Sequence, residues 1–440
     1  MKLTVFQSDK GDCLLLTSAD GARRILVDGG MRNSYKTFVA PALAALATDN
    51  RFLDLVYVSH IDQDHISGVL QLLDDMMAWR VHDFQINNGN PTHQPPESGR
   101  PPAVQGIWHN AFNELITDDT QAIGEILAAS AAILSSAPDN DTELLGLAAQ
   151  HRELAVSVPE AIKLSHRISP DQLGIPLNEH FGSKLAFVRS NEAPTSIELG
   201  ALKISIIGPF EADLDKLRRD WSKWLKEHPT ELAKLQRQAI RDAERLGASD
   251  AMTLLTLRSA PLKQLGDRSK VTPPNLASLM LLVEEHDKTL LLTGDGHWRD
   301  ILNGLAFYDK LNIQGQIHVN ILKVQHHGGE HNINEEFVSK VTADHYIFCG
   351  NGQHENPNLQ ALKILIDSRI GNVPFLTTNP QASGSFKLWF NSGESASKRP
   401  EAKLHMRKVR ELVEQRKTES LGRITFQFLE GENPSFEMVI

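Results

Sequence analysis

Six residues, His60-Ile61-Asp62-Gln63-Asp64-His65, constrain this chain more than any other stretch, because four metal-competent side chains fall directly after the apolar run Leu53-Asp54-Leu55-Val56-Tyr57-Val58. The apolar run reads as a strand, and Val69, Leu70, Leu72, Leu73 and Met76 recur with helical spacing over Ser67 to Met77. The histidine run is therefore expected on the loop between strand and helix, at the rim of a rigid sheet where ligands and catalytic groups gather. Imidazole and carboxylate are the usual ligands of zinc and manganese, whereas an ordinary core gains nothing from desolvating Asp62 and Asp64. The plainer alternative is a polar loop of capping residues in which Asp64 starts the next helix.

What surrounds the run is mixed strand and helix. Residues 3–7 and 12–17, then Arg24 to Val27 ahead of Asp28-Gly29-Gly30, read as consecutive strands closed by a glycine turn. Gly106-Ile107-Trp108-His109 is a short strand or a helix start. Further strands are expected at Leu185–Val188, Leu202–Ile207, Leu279–Val283, Thr289–Thr293, His318–Val324 and Tyr346–Phe348, with a helix near Leu359–Ser368. The second half repeats the strands-then-helix order of the first without a strict sequence repeat, which suggests two packed sheets flanked by helices. The tail adds a strand at Phe386–Phe390, a helix near Pro400–Lys417, and strands at Ile424–Leu429 and Phe436–Ile440.

Two long stretches interrupt this pattern. Residues 113–165 are rich in Ala, Leu and Glu at helical spacing, with eight acidic residues against one arginine in 113–154. Residues 211–248 form a second helical block, in which Trp221 and Trp224 are expected in the core rather than stacked on a ligand. At 440 residues, 41% hydrophobic and 23% charged, the chain has ordinary globular composition and length enough for a large core with insertions or a second domain. Cys13 and Cys349 stand alone, which excludes a disulfide framework or a cysteine zinc knuckle. Met1 to Phe6 lacks a signal-peptide stretch, and charges interrupt the apolar run near Ser278–Leu292, so a cytoplasmic chain without a membrane span is expected. The net charge of −10 argues against a protein coated in nucleic acid while leaving room for a local basic groove.

The run His60-x-Asp62-x-Asp64-His65, completed by Gly68, resembles the first metal motif of the metallo-β-lactamase superfamily, with aspartate where the commonest motif has its second histidine. This variant is similar to the soluble hydrolase domain of the ComEC competence protein and its stand-alone relatives. The resemblance extends to Gly11-Asp12, to Asp28-Gly29-Gly30, to Leu291-Leu292-Thr293-Gly294-Asp295 and to Leu322-Lys323-Val324-Gln325-His326-His327-Gly328. It covers most of 1–90 and 275–365. It implies an α/β fold, the four-layer αββα metallo-β-lactamase sandwich, here with helical insertions and a C-terminal strand-helix extension. Core halves are expected at 1–112 and 271–390, core strands at 191–210, helical insertions at 113–190 and 211–270, and the extension at 391–440.

Residue by residue, the resemblance implies two divalent ions, zinc or manganese ahead of magnesium: His60 and Asp62 on one, Asp64 and His65 on the other, Asp295 bridging both. Asp62 brings a harder oxygen ligand than the histidine it replaces, which weakens a zinc-only preference. His326 or His327 supplies a further ligand or an oxyanion contact, and the spacing does not choose between them. Asp64, Asp295 and His327 are the candidates to act at the reacting centre, and Asp28 is expected to orient a ligand from behind. The remaining ligand is open among His109, His297 and His354, each with a structural alternative, and His331 ranks behind them.

The implied activity is hydrolysis by a hydroxide held between two metals, most readily of phosphodiesters in DNA or another nucleic acid, with phage defence as a setting. Hydrolysis of a small ester, lactone or thioester is the alternative on the same core, and a partner-dependent subunit docked through the helical insertions is another. Lys398 to Lys417 holds eight Lys or Arg against three Glu; it reads either as a solvated helix with Leu404, Val409, Leu412 and Val413 packed inward or as a seat for a phosphate-rich partner.

Overall fold

The computed structural model describes residues 1–110, 160, 163–165, 167–170, 172–215 and 273–440. Two mixed sheets lie face to face with helices outside them. The first has the order β14-β1-β2-β3-β4-β5, built from β1 (Lys2–Phe6), β2 (Leu14–Thr17), β3 (Arg24–Val27), β4 (Leu55–Tyr57), β5 (Ile107–Trp108) and β14 (Ser435–Val439). The second has the order β13-β12-β11-β10-β9-β8-β7-β6, from β6 (Ser196–Leu199), β7 (Leu202–Gly208), β8 (Met280–Glu285), β9 (Lys288–Leu292), β10 (Ile317–Lys323), β11 (Val341–Phe348), β12 (Phe386–Phe390) and β13 (Ile424–Phe428). In both, an antiparallel meander gives way to parallel strands: β1-β2-β3 then β4 and β5, β7-β8-β9 then β10 and β11. The tail belongs to both sheets, since β13 continues the second beside β12 and β14 closes the first beside β1.

Strands covered on both faces should be continuously apolar, with alternate residues serving opposite cores. This is observed. Leu14 and Leu16, Ile25, Leu55, Leu281, Val283, Leu290 and Leu292 fill the space between the sheets. Their neighbours Leu15, Leu26 and Val56 face out against the helix α2 (Gln63–Asn87), packing with Val69, Leu70, Leu72 and Leu73. On the far side Met280, Leu282 and Leu291 meet Ile301 and Leu305 of α3 (Trp298–Phe307). There too Phe348 and Leu388 meet Leu362 and Leu365 of α5 (Leu359–Ile370) and Met406 and Val409 of α6 (Pro400–Glu419). Three buried layers between four structural layers give the αββα sandwich. Two shorter helices, α1 (Ala40–Thr48) and α4 (Glu335–Lys340), complete the numbering.

Several local expectations change. The histidine run is only partly a loop: Asp62 is the N-cap of α2, so Asp64 and His65 lie in its first turn, where an acid complements the helix dipole. That helix is also longer than the apolar spacing suggests, reaching Asn87. Leu185–Val188 is not a strand but an isolated bridge from Val188 to Phe210, because Ala186 is satisfied by a side chain: its N–H donates to Asn110 Oδ1 and Asn110 Nδ2 donates back to its O, both at 2.7 Å. An edge strand appears at Ser196–Leu199, hairpinned to β7. The expected helical insertions lie largely outside the described residues, as do Trp221 and Trp224. No helix among the described residues is long and apolar enough to cross a membrane.

Candidate metal centre

Parallel neighbours carry their loops to the same end of a sheet, and the centre lies there. β4 delivers Ser59 and His60, its parallel neighbour β5 delivers His109, and β3 delivers Asp28. In the second sheet β9 leads to Asp295 and its parallel neighbour β10 to His326 and His327. Close backbone contact seats α2: Gly68 N–H donates to Gly30 O at 2.9 Å, Gly29 N–H to His65 O at 2.8 Å. A Cβ on Gly68 would stand 1.9 Å from Gly29 O, which explains the glycine that completes the motif. The sheets are tied at this point by the Tyr57 hydroxyl donating to Leu279 O and by Leu279 N–H donating to Ser59 O at 2.7 Å.

Asp295 is the hub. Its carboxylate oxygens lie 3.5 Å from His65 Nε2, 3.7 Å from His60 Nε2, 3.5 Å from His327 Nε2 and 3.8 Å from His326 Nε2. Asp62 Oδ2 is 3.5 Å from His60 Nε2, and Asp64 Oδ2 is 3.5 Å from His327 Nε2. These separations are too long for good hydrogen bonds. They match ligands of a shared cation: two groups each about 2.1 Å from a tetrahedral ion stand about 3.4 Å apart. His60 Nε2, His65 Nε2 and Asp295 Oδ1 are buried without a hydrogen bond, a state that is costly unless something else meets them. The donor set therefore fits divalent ions.

Each of two histidines is held from behind by an aspartate. His65 Nδ1 lies 2.9 Å from Asp28 Oδ2, and Asp28 also accepts from the backbone N–H and hydroxyl of Ser59, both at 2.7 Å. Asp12 Oδ1 lies 3.2 Å from His327 Nδ1, and its other oxygen is held by the ammonium of Lys323. Both arrangements turn Nε2 toward Asp295 and fix the ring, as carboxylates behind metal-binding histidines do. Ligand-type atoms of Asp12, His65, Asp295 and His327 all fall within 4.8 Å of one another. One Asp12 oxygen is held by Lys323, while Asp12 Oδ1 stands 3.2 Å from His327 Nδ1 with neither atom in a hydrogen bond, so Asp12 lies against both His327 and the ligand cluster.

Charge follows from this packing. Burial alone would raise the Asp12 carboxyl, but Lys323 with His65 and His327 brings it down to about 2. Burial disfavours the His327 imidazolium, yet Asp295 with Asp12 and Asp64 lifts it to about 9, and Asp295, Asp12 and Asp28 likewise overcome burial to raise His65. His60 goes the other way, to about 4, through burial and the charge of His65. His109, fully buried, is also held at about 4, by burial and by the charge of His60.

The sequence-derived residues thus separate by position. His60, Asp62, Asp64, His65, Asp295 and His327 converge. His326 joins them from the rim: its side chain is 30% exposed, with Nδ1 fixed 2.7 Å from Asn332 Oδ1. His109, which feels the charge of His60, is buried with both ring nitrogens without a hydrogen bond, as are His60 Nε2 and His65 Nε2. His354 stands at the mouth, where the charges of Lys10, Asp64, His326 and His327 all bear on it. His297 has other work as the N-cap of α3, its Nδ1 accepting from Arg299 N–H at 3.3 Å. His331 faces Glu330, at 3.5 Å. Sequence reasoning missed Lys323 and the role of Asp12; the available signal was a lone charge next to an apolar run in each, Asp12 before Cys13-Leu14-Leu15-Leu16 and Lys323 within Ile321-Leu322-Lys323-Val324.

Residues 9–76 match the family model of the metallo-beta-lactamase superfamily. The matched stretch includes Asp12, Asp28 and the whole run from His60 to His65. No curated protein matches the chain. The match, the sandwich and the clustered ligands together support a metal-dependent hydrolase.

Proposed function

We propose that the chain is a metal-dependent phosphodiesterase acting on nucleic acid. The carrying observation is the set of histidine Nε2 atoms 3.5–3.8 Å from the Asp295 carboxylate. His60 with Asp62 would hold one divalent ion and Asp64, His65 and His327 the other, with Asp295 between them. Ions bound there supply Lewis acidity to polarise a phosphoryl group and lower the pKa of water to roughly 7. Three carboxylates among these ligands favour oxygen-loving ions such as manganese beside zinc.

The protein's own groups do the rest. Asp28 and Asp12 fix His65 and His327, and Lys323 keeps Asp12 ionised while donating to Gly294 O at 3.0 Å. Lys10, 3.9 Å from Asp64 Oδ2 at the open side, offers a cation to an anionic substrate, which favours a phosphodiester over a neutral ester. His326, on the same rim, has Nδ1 donating to Asn332 Oδ1, which leaves Nε2 of the neutral ring as an acceptor facing Asp295 and the ligand cluster. A place in phage defence is supported by the sequence resemblance alone.

The test is cleavage of single-stranded DNA, duplex DNA and RNA in manganese, zinc or magnesium, repeated with Asp64→Ala and Asp295→Asn. Cleavage lost in both variants is expected. Absence of cleavage with every metal, or cleavage that survives both substitutions, defeats the reading; hydrolysis confined to a chromogenic lactone or thioester would move it to carbonyl chemistry.

A further inference from the structure

The basic tail divides in two once its contacts are known. In the second half of α6 the charges are spent within the fold: Arg410 pairs with Glu430, Arg416 reaches Asp367 at 3.2 Å and Glu419 at 2.7 Å, and Lys417 lies over the Phe426 ring. The first half differs. From Lys398 to Lys408 there are five Lys or Arg and one Glu, in a chain whose net charge is −10. Ala402, His405, Met406 and Val409 bury the inner face, while Lys403, Arg407 and Lys408 are exposed, with Arg399 at the N-cap and Lys398 before it. Lys398 reaches Asp9 at 3.4 Å and Arg407 pairs with Glu394; Arg399, Lys403 and Lys408 make no ion pair among the described residues.

This half of the helix adjoins the candidate centre. The His354 loop rests on it: His405 Nε2 lies 2.9 Å from Pro357 O, and a Cβ on Gly352 would stand 2.3 Å from Ala402 O. Asp9, which holds Lys398 and accepts from Asn351, immediately precedes Lys10, and Lys10 faces Asp64. Cations therefore run from the mouth along the helix. Arg399, Lys403 and Arg407 recur every four residues on one face, and Arg399 to Lys408 spans about 14 Å at about 1.5 Å per residue. Phosphates advance about 3.4 Å per nucleotide along one strand of a duplex, so several successive ones fit this length.

We propose that Lys398 to Lys408 is a track for a nucleic-acid backbone, leading it to the centre with Lys10 at the phosphate nearest Asp64. The inference rests on the phosphodiesterase reading and gives it a polymeric substrate. Backbone contacts of this kind are independent of sequence and weaken steeply with salt.

The experiment is fluorescence anisotropy of a labelled 30-nucleotide oligo-dT, and of a 30-base-pair duplex, with the whole chain across a potassium chloride series. Arg399→Glu/Lys403→Glu/Lys408→Glu is compared with Arg51→Glu/Lys184→Glu/Lys203→Glu, which makes the same charge change at exposed sites elsewhere. The track variant should bind at least about tenfold more weakly near 0.1 M salt and flatten the log–log salt slope by about 2 to 3, and the comparison variant should do neither. Its loss of hydrolysis should be larger for the 30-mer than for bis(p-nitrophenyl) phosphate, which is too short to reach the helix. Equal binding by both variants, or an unaltered slope, overturns the track even if wild-type cleavage is robust. Track-dependent binding with no cleavage under any metal supports the track and counts against the catalytic reading instead.

Discussion

The two sheets share a wiring plan and bring their ligands to one place by different means. At the first sheet His60, Asp62, Asp64 and His65 come from a strand end and the opening turn of α2, in ordinary extended and helical backbone, and His65 is oriented by Asp28 from the neighbouring strand of its own sheet. At the second, His326 and His327 sit on left-handed backbone, with φ of 46° and 55° and Gly328 following at 85°. There His327 is oriented by Asp12, which comes from the first sheet and is held by Lys323 of the second. Such backbone persists only where its surroundings over-determine it. The first half also uses a left-handed residue, Asp28 at φ 53°, and a hydrogen bond from Leu279 to Ser59; the second adds two left-handed histidines and an orienting pair that crosses between the sheets.

That pair is open to attack. Lys323→Met leaves Asp12 buried without its cation, which should cost about 3–5 kcal/mol of stability in urea denaturation. The double variant Asp12→Leu/Lys323→Met should recover much of that loss. A single-variant loss under about 1 kcal/mol would mean that the pair does not hold the halves together.

A milder comparison uses two glycines. Gly68→Ala drives a Cβ into Gly29 O and should cost about 3 kcal/mol. Gly328→Ala brings a Cβ to 3.1 Å from the Phe348 ring and 3.2 Å from Pro357, closer than ordinary contact but far less severe than at Gly68, and places alanine in the left-handed region, a penalty of about 1–2 kcal/mol. Equal losses would erase the distinction between a backbone clash at Gly68 and a mainly conformational cost at Gly328.

The glycine contrast also shows what was legible. The run from His60 to His65 was readable because its ligands are neighbours in sequence; the similar order of the two halves suggested two packed sheets flanked by helices, and the four-layer sandwich came from the resemblance. Asp295 and His326-His327 were visible only through resemblance, since a single polar residue after a strand has no signature of its own. Asp12 and Lys323 went unread because their meaning is a pairing between sheets, and the start of α2 was misplaced because its polar first turn, with Asp64 at the helix dipole, lies ahead of the apolar pattern.

The smallest effect expected is on pH. In metal-free protein His327 titrates at about 9, above its ordinary value near 6.5, with His65 also raised. Charged imidazole therefore contributes stability that is complete below about pH 6.5 and is lost as pH rises through about 9. A metal needs these rings neutral, so uptake should release protons at pH 7 and tighten over the same interval. Calorimetric titration in two buffers of different ionisation enthalpy reads that release, and identical heats in both would contradict it.

The convergence of both halves on Asp295 is tested most directly by the metal content of the purified chain, measured by plasma mass spectrometry for the wild type and for Asp295→Asn, with circular dichroism to show that both fold. The account predicts about two divalent ions per wild-type chain and fewer than about one in the folded variant. A wild type free of metal after dialysis against manganese or zinc, or a variant that keeps the full complement, would contradict it.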